Sequence, residues 1–330
     1  WLLGGSLLLL FTLGAPLWMS FFQTTSVWPF ILLGIGLPVY LVQGVERGVL
    51  QGQTRFGRLA LSYQAEMWTR LACAVTLVAI GWAVAGAVVG LTLSFVATWL
   101  VARRARLGLP SATRLDPARR TQVLKFVGPV SASLIGQVII SNSDILIVKH
   151  FFEAAEAGHY AALALIGRIV FFATWSVVTM LIPLVAQKAH KGESHRQYLT
   201  LSLGLVGVIS AIIMGVCFVM PNFIVEILFG KEYLSIAPLL WLYAAATAAY
   251  ALGNVLVTYW LSAGKSGGSL LALLAGLAQV AGLWIFHASL LEVVLVQLYL
   301  MGALFGLLLI WDRWLAFAGL RKLKQQESIR

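Results

Sequence analysis

Long apolar runs separated by short polar connections dominate the chain, and most runs approach the roughly 20 residues that a helix needs to cross a bilayer. Ten spans are predicted, at about 1–22, 28–46, 67–83, 85–102, 126–151, 158–186, 199–219, 236–261, 269–286 and 291–310. Met67–Ala102 carries Arg70 as its only charge and is too long for one span, so it is folded as a hairpin near Gly81-Trp82. Ten-residue segments of alternating polarity, the mark of a membrane β-barrel, do not occur. The expected class is an all-α polytopic membrane protein.

The polar positions inside these runs are few and ordered. Ser133, Gln137, Ser141 and Asp144 recur at spacings of four, four and three, which places them on one helix face. Such a face is expected to meet a water-filled cavity or another polar helix. Arg168 lies deep in the next span, and a charge at bilayer depth costs about 2.5–3.5 kcal/mol even on lenient scales. The two spans are consecutive and antiparallel, joined by Glu153–Gly158. Counted from their outer ends, Asp144 and Arg168 differ in depth by about 6 Å, so a pair between them is predicted. Arg70 can reach the headgroups or face a cavity, and Glu66, four residues earlier, is placed to pair with it.

Composition sharpens the class. Hydrophobic residues make up 60% of 330 positions and mean hydropathy is +0.91, beyond any soluble domain. The net charge of +11 invites a nucleic-acid reading until its placement is read. Connections 47–58, 103–125, 187–198 and 262–268, with the tail 311–330, hold 19 of the 23 Lys and Arg, alternating without exception with poor ones. By the positive-inside rule the rich set is cytoplasmic, and the charge faces anionic headgroups; no nucleic acid is implied. Most Trp residues sit near span ends as an interfacial belt, while Trp175 lies deeper and is read as core. Pro221–Tyr233 reads as a short interfacial helix.

The organisation expected is a partial N-terminal lobe of four spans (1–102), a basic cytoplasmic linker (103–125), a C-terminal lobe of six spans (126–310) and a basic cytoplasmic tail (311–330). A weak internal repeat aligns Gly52 with Gly264 and Thr54 with Ser266, six spans apart, as in the parallel repeats of transporters. Four spans against six, in a chain that begins at Trp1, predict an N-terminally truncated fragment whose first lobe lacks two helices. No catalytic constellation, Walker motif or metal-ligand spacing occurs among the scattered His residues or Cys73 and Cys217. Neither an enzyme nor a cofactor is expected.

Three runs carry a resemblance: Glu46–Gly57 (ERGVLQGQTRFG), Ser143–Lys149 (SDILIVK) through Ala157–Tyr160 (AGHY), and Leu228–Tyr233 (LFGKEY) with Pro238–Trp241 (PLLW). Together they resemble the polysaccharide (O-antigen-type) flippase branch of the multidrug/oligosaccharidyl-lipid/polysaccharide exporter superfamily. That resemblance implies a MATE-like arrangement of two six-helix lobes, alternating access, and export of undecaprenyl-diphosphate-linked glycans from the inner to the outer leaflet of a bacterial inner membrane. Its implied partners are the lipid-linked glycan, membrane lipids, H⁺ or Na⁺ as coupling ion, and polysaccharide polymerase or assembly proteins. The candidate substrate and cavity residues are then Arg168, Asp144, Gln137, Ser141, Ser133 and Arg70. Two alternatives stay open, a cation-coupled drug or metabolite antiporter of the same superfamily and a non-transporting scaffold of a glycan assembly complex.

Overall fold

The computed structural model describes residues 1–106, 116–191 and 193–327. The centre of the expected linker (107–115), Gly192 and the last three residues of the tail lie outside them. The described residues are helical, without strands, and divide into two compact units, Trp1–Arg114 and Leu115–Arg330.

In the first unit, α1 (Leu2–Leu13) and α2 (Ala15–Phe21) form a pair bent by 61° at Gly14, where Pro16 opens the second helix. They are followed by α3 (Trp28–Gly52), α4 (Phe56–Leu77) and α5 (Ala83–Arg106). Helices α4 and α5 are the predicted hairpin. Gly81 turns the chain with φ 95°, a value open to glycine, and Ala83 follows at φ 42°. The arms run antiparallel: Arg58 Nη1 donates to the Ala105 carbonyl at 2.6 Å, and Gly90 lies against Ala74.

The second unit comprises α6 (Pro117–Phe151), α7 (Ala154–Gly167), α8 (Ile169–His190), α9 (Arg196–Val219), α10 (Pro221–Phe229), a 3₁₀ segment (Lys231–Leu239), α11 (Leu240–Ser262), α12 (Gly267–Ile285) and α13 (Leu290–Glu327). Helix α11 is its axis. It packs against α7, α8, α9, α12 and α13, with Leu240, Ala244, Val255 and Leu256 fully buried. One core cluster gathers Tyr160, Leu163, Val170, Leu240 and Val294 around it, and a second gathers Val185, Val206, Leu256 and Leu308.

Eight helical segments among the described residues are long and apolar enough to cross a membrane. The bent pair α1–α2 counted as one span brings them to nine among the described residues, with the two arms of the α4–α5 hairpin falling within one of the segments. Helix ends differ from span ends. α4 starts at Phe56 rather than 67, α6 at Pro117 rather than 126, and α13 continues to Glu327 rather than stopping near 310. Hydropathy marks what hydrocarbon must cover, whereas good helix formers carry the helix onward into water. The Glu153–Gly158 turn shrinks for the same reason: Ala154–Gly158 opens α7, and only Phe152 and Glu153 connect it to α6. The predicted span 158–186 is broken at Arg168 into α7 and α8.

Helices α3 and α11, which the sequence repeat aligns, end in the same backbone geometry. Thr54 has φ 56° and Gly264 has φ 79°. Thr54 N donates to Gln51 O and Arg55 N to Leu50 O; Gly264 N donates to Leu261 O and Lys265 N to Trp260 O, all at 2.8–3.0 Å. These are two copies of one Schellman motif, closing α3 and α11. In that geometry Thr54 stands where α11 has Gly264, and Arg55 where it has Lys265. The sequence match follows residue type, whereas the geometry puts a threonine where the second copy has glycine.

Candidate functional site

The site is built on α6. Its polar face turns into the second unit, where a cavity of about 320 Å³ is lined by Gln137, Ser141 and Asn142 of α6 with Arg168 at the α7–α8 break. Helices α8 and α11 add Phe171, Trp175, Tyr243 and Tyr250, and Gln279 and Gln297 close it. The volume sits at the lower end of small-molecule sites.

Asp144 lies behind the cavity wall, fully buried. One carboxylate oxygen, Oδ2, accepts the hydroxyls of Tyr243 at 2.7 Å and Tyr160 at 3.1 Å. Gln297 Nε2 in turn donates to the Tyr160 oxygen. The other oxygen, Oδ1, has no hydrogen-bond donor among the described residues and stands 3.6 Å from Arg168 Nη2. That distance is an ion pair rather than a hydrogen bond. Arg168 donates from the same nitrogen to the Ser141 carbonyl, and its Nε is buried without a partner. The guanidinium is thus held at two points, and the donor left without a partner among the described residues is the buried Nε.

Local sequence explains the placement. A Cβ at Gly167 would fall 2.0 Å from the Tyr243 ring, so the residue before Arg168 must be glycine for that ring to reach Asp144. On α12, Gln279 Nε2 donates to the Ile140 carbonyl at 2.9 Å and to Ser143 Oγ at 3.0 Å, which fixes α6 from its far side.

Of the candidate residues, the structure brings Asp144, Arg168, Gln137 and Ser141 together. Ser133 is half-buried one turn away and does not line the cavity. Arg70 is in the first unit, in a separate groove, paired with Glu66 as expected. Trp175, expected in the core, is 41% exposed and lines the cavity instead. Its ring packs against Phe171. Tyr160, Tyr243, Gln279 and Gln297 were not anticipated. A signal existed: Tyr243, Thr247 and Tyr250 recur at four and three on α11, a second polar stripe matching that of α6.

The ends of the second unit are chemically distinct. Arg196 makes two bonds to Asp312, at 2.6 and 3.3 Å, and Trp260 Nε1 donates to the same carboxylate at 3.1 Å. Lys265 Nζ sits 4.3 Å from the Trp260 ring centre. Three basic connections assigned to one side of the membrane therefore meet at one end. Phe151 and Trp284 stack with His150 and His287 at the other.

The polysaccharide biosynthesis protein family matches residues 1–238. The chain belongs to that family. No curated protein matches it. Two solved structures are similar, each described as a multidrug resistance MATE family transporter of the MOP superfamily. The one described as inward-facing is 14% identical, with a TM-score of 0.70 over 97% of this chain and 79% of its own. The one described as outward-facing is 15% identical, with a TM-score of 0.68 over 96% and 77%. At that identity the likeness shows the fold, which is MATE-like. This member of the polysaccharide biosynthesis family is an all-helical, multi-pass membrane protein with a polar cavity in its second unit.

Proposed function

We propose that the chain is a flippase that moves a lipid-linked oligosaccharide or polysaccharide precursor from the inner to the outer leaflet of a bacterial inner membrane by alternating access. The observation that carries this reading is Arg168: a guanidinium whose Nε has no partner among the described residues, at the wall of a polar cavity, in a chain of the polysaccharide biosynthesis family. A lipid-linked glycan has an anionic diphosphate and a hydroxyl-rich head that cannot cross hydrocarbon unaided. Arg168 binds the anion through paired N–H donors, a geometry lysine lacks. Gln137, Ser141 and Asn142 bond sugar hydroxyls, and the isoprenoid tail stays in the bilayer. Asp144 neutralises Arg168 when the site is empty and yields it when the phosphate arrives.

The partial N-terminal lobe, basic linker, C-terminal lobe and basic tail keep the boundaries given above in this proposal, with the basic connections cytoplasmic. The test is surface glycan in a strain that depends on this transporter, with membrane protein abundance measured alongside. Export that persists with Arg168→Ala at normal abundance contradicts the assignment. A cation-coupled antiporter is the second reading, favoured by the fold likeness to multidrug transporters; saturable efflux of a cationic dye that leaves surface glycan unaffected supports it instead.

A further inference from the structure

The cavity in the second unit has a hydrogen-bonding sense that the reading above leaves unused. Three of the carboxamides that line it, Asn142, Gln279 and Gln297, spend their amide nitrogens on the protein. Asn142 Nδ2 donates to the Val138 carbonyl at 2.9 Å. Gln279 Nε2 donates to the Ile140 carbonyl and to Ser143 Oγ. Gln297 Nε2 donates to the Tyr160 oxygen, whose own proton goes to Asp144. None of the three can be turned round. A backbone carbonyl only accepts, and the Tyr160 oxygen has already given its proton, so each partner requires the nitrogen. What remains on each amide is a carbonyl oxygen, an acceptor.

Gln279 shows the consequence most plainly. It is fully buried, and its Oε1 has no donor among the described residues. An unpaired buried acceptor costs about 1–3 kcal/mol, which a donor brought in by a ligand recovers. Three acceptors around one cavity call for a ligand with several donors. Phosphate and carboxylate groups only accept, and among the lining residues Arg168 alone carries a charge to meet them. An organic cation would face that guanidinium, because Asp144 is not among the lining residues. Rings complete the wall. Phe171 stacks on Tyr250 with centres 5.5 Å apart and tilts against Trp175 at 5.3 Å, and all three line the cavity. A pyranose carries hydroxyl donors around its edge and C–H groups on its faces, so it fits both the oxygens and the rings. The volume of about 320 Å³, at the lower end for small-molecule sites, suits one sugar unit rather than a chain of them.

We infer that this cavity selects an uncharged sugar unit by its hydrogen-bond donors. Asn142, Gln279 and Gln297 accept from its hydroxyl or amide N–H groups, and Trp175 packs on a ring face. The inference rests on the reading that this chain handles glycans, and it names the sugar chemistry and the specificity residues of that same site.

The test is ligand-observed saturation-transfer NMR on the full chain in phosphatidylcholine nanodiscs, with empty nanodiscs as the blank. The probes are methyl β-glucoside, methyl β-galactoside and methyl N-acetyl-β-glucosaminide. At least one should show transfer above the blank. Analogues of that sugar with one hydroxyl replaced by fluorine keep its shape but lose one donor. At least one analogue should need about fivefold more ligand for the same signal, the worth of about one hydrogen bond. Asn142 and Trp175 are exposed side chains, so replacing them opens no void in the core. Asn142→Leu should weaken the parent sugar about fivefold and erase the penalty of one fluorinated analogue. Trp175→Leu should remove transfer to the C–H protons of one ring face. Absence of transfer to all three sugars overturns the inference; so does equal binding of every fluorinated analogue, or binding unchanged in both variants. Displacement of the sugar by tetraethylammonium marks a cation site and overturns it too. Binding needs no transport: a protein that binds as stated but moves no glycan refutes the flippase reading alone, and one that moves glycan but ignores fluorination refutes this inference alone.

Discussion

Arg168 stands 3.6 Å from one oxygen of Asp144 while the hydroxyls of Tyr243 and Tyr160 occupy the other. The two oxygens of one buried carboxylate are therefore divided between a pair of hydroxyls and a guanidinium. The two tyrosine hydroxyls hold Asp144 from the side away from the arginine.

Tyr243→Phe should weaken that support. A hydrogen bond to a charged group contributes about 1.5–3 kcal/mol in water-soluble proteins and less in membrane helices, so a loss of about 1–2 kcal/mol is expected. The thermal midpoint of the purified protein should fall, while Tyr250→Phe, whose hydroxyl touches no part of the Asp144 network, should leave it nearly unchanged.

The twin helix ends of α3 and α11 give a reciprocal pair. Thr54, a β-branched residue at φ 56°, occupies the position that glycine takes at 264. Left-handed backbone costs a non-glycine residue about 1–2 kcal/mol. Thr54→Gly should therefore raise the thermal midpoint and Gly264→Thr should lower it, each by about 1 kcal/mol in stability.

His195, at the basic end of the second unit, gives a pH dependence. Burial, then the charges of Lys265 and Arg196, hold its pKa below the ordinary histidine value, and its Nδ1 is buried without a partner. The unfolded chain thus binds the proton more readily than the folded one. The stability this contributes is present above the ordinary histidine pKa and is lost as pH falls through the folded value. His195→Gln should flatten the decline in thermal midpoint as pH is lowered from neutrality through the ordinary histidine range, and a decline of unchanged slope contradicts this.

Much of this was legible from spacing. The α6 stripe placed Gln137, Ser141 and Asp144 on one face because helical period is a local property, and the depth argument paired Asp144 with Arg168. The tyrosines escaped because aromatic residues in membrane helices read as belt or core. The stripe of Tyr243, Thr247 and Tyr250 says otherwise only once α11 is seen to be buried on all sides. Arg47 escaped for a different reason: hydropathy ended the second span at 46, while α3 runs on to Gly52 and carries Arg47 against Glu66.

The central claim is that Arg168 carries the anionic part of a lipid-linked glycan across the membrane, and reconstitution tests it most directly. Purified protein is placed in vesicles with lipid-linked oligosaccharide confined to one leaflet, and the glycan reaching the opposite leaflet is read with an impermeant glycosidase. Wild type should transfer it and Arg168→Ala should not. Arg168→Lys should retain part of the rate, because the charge persists without the paired donors. Transfer by Arg168→Ala at the wild-type rate, or by wild type no faster than by protein-free vesicles, would contradict the account.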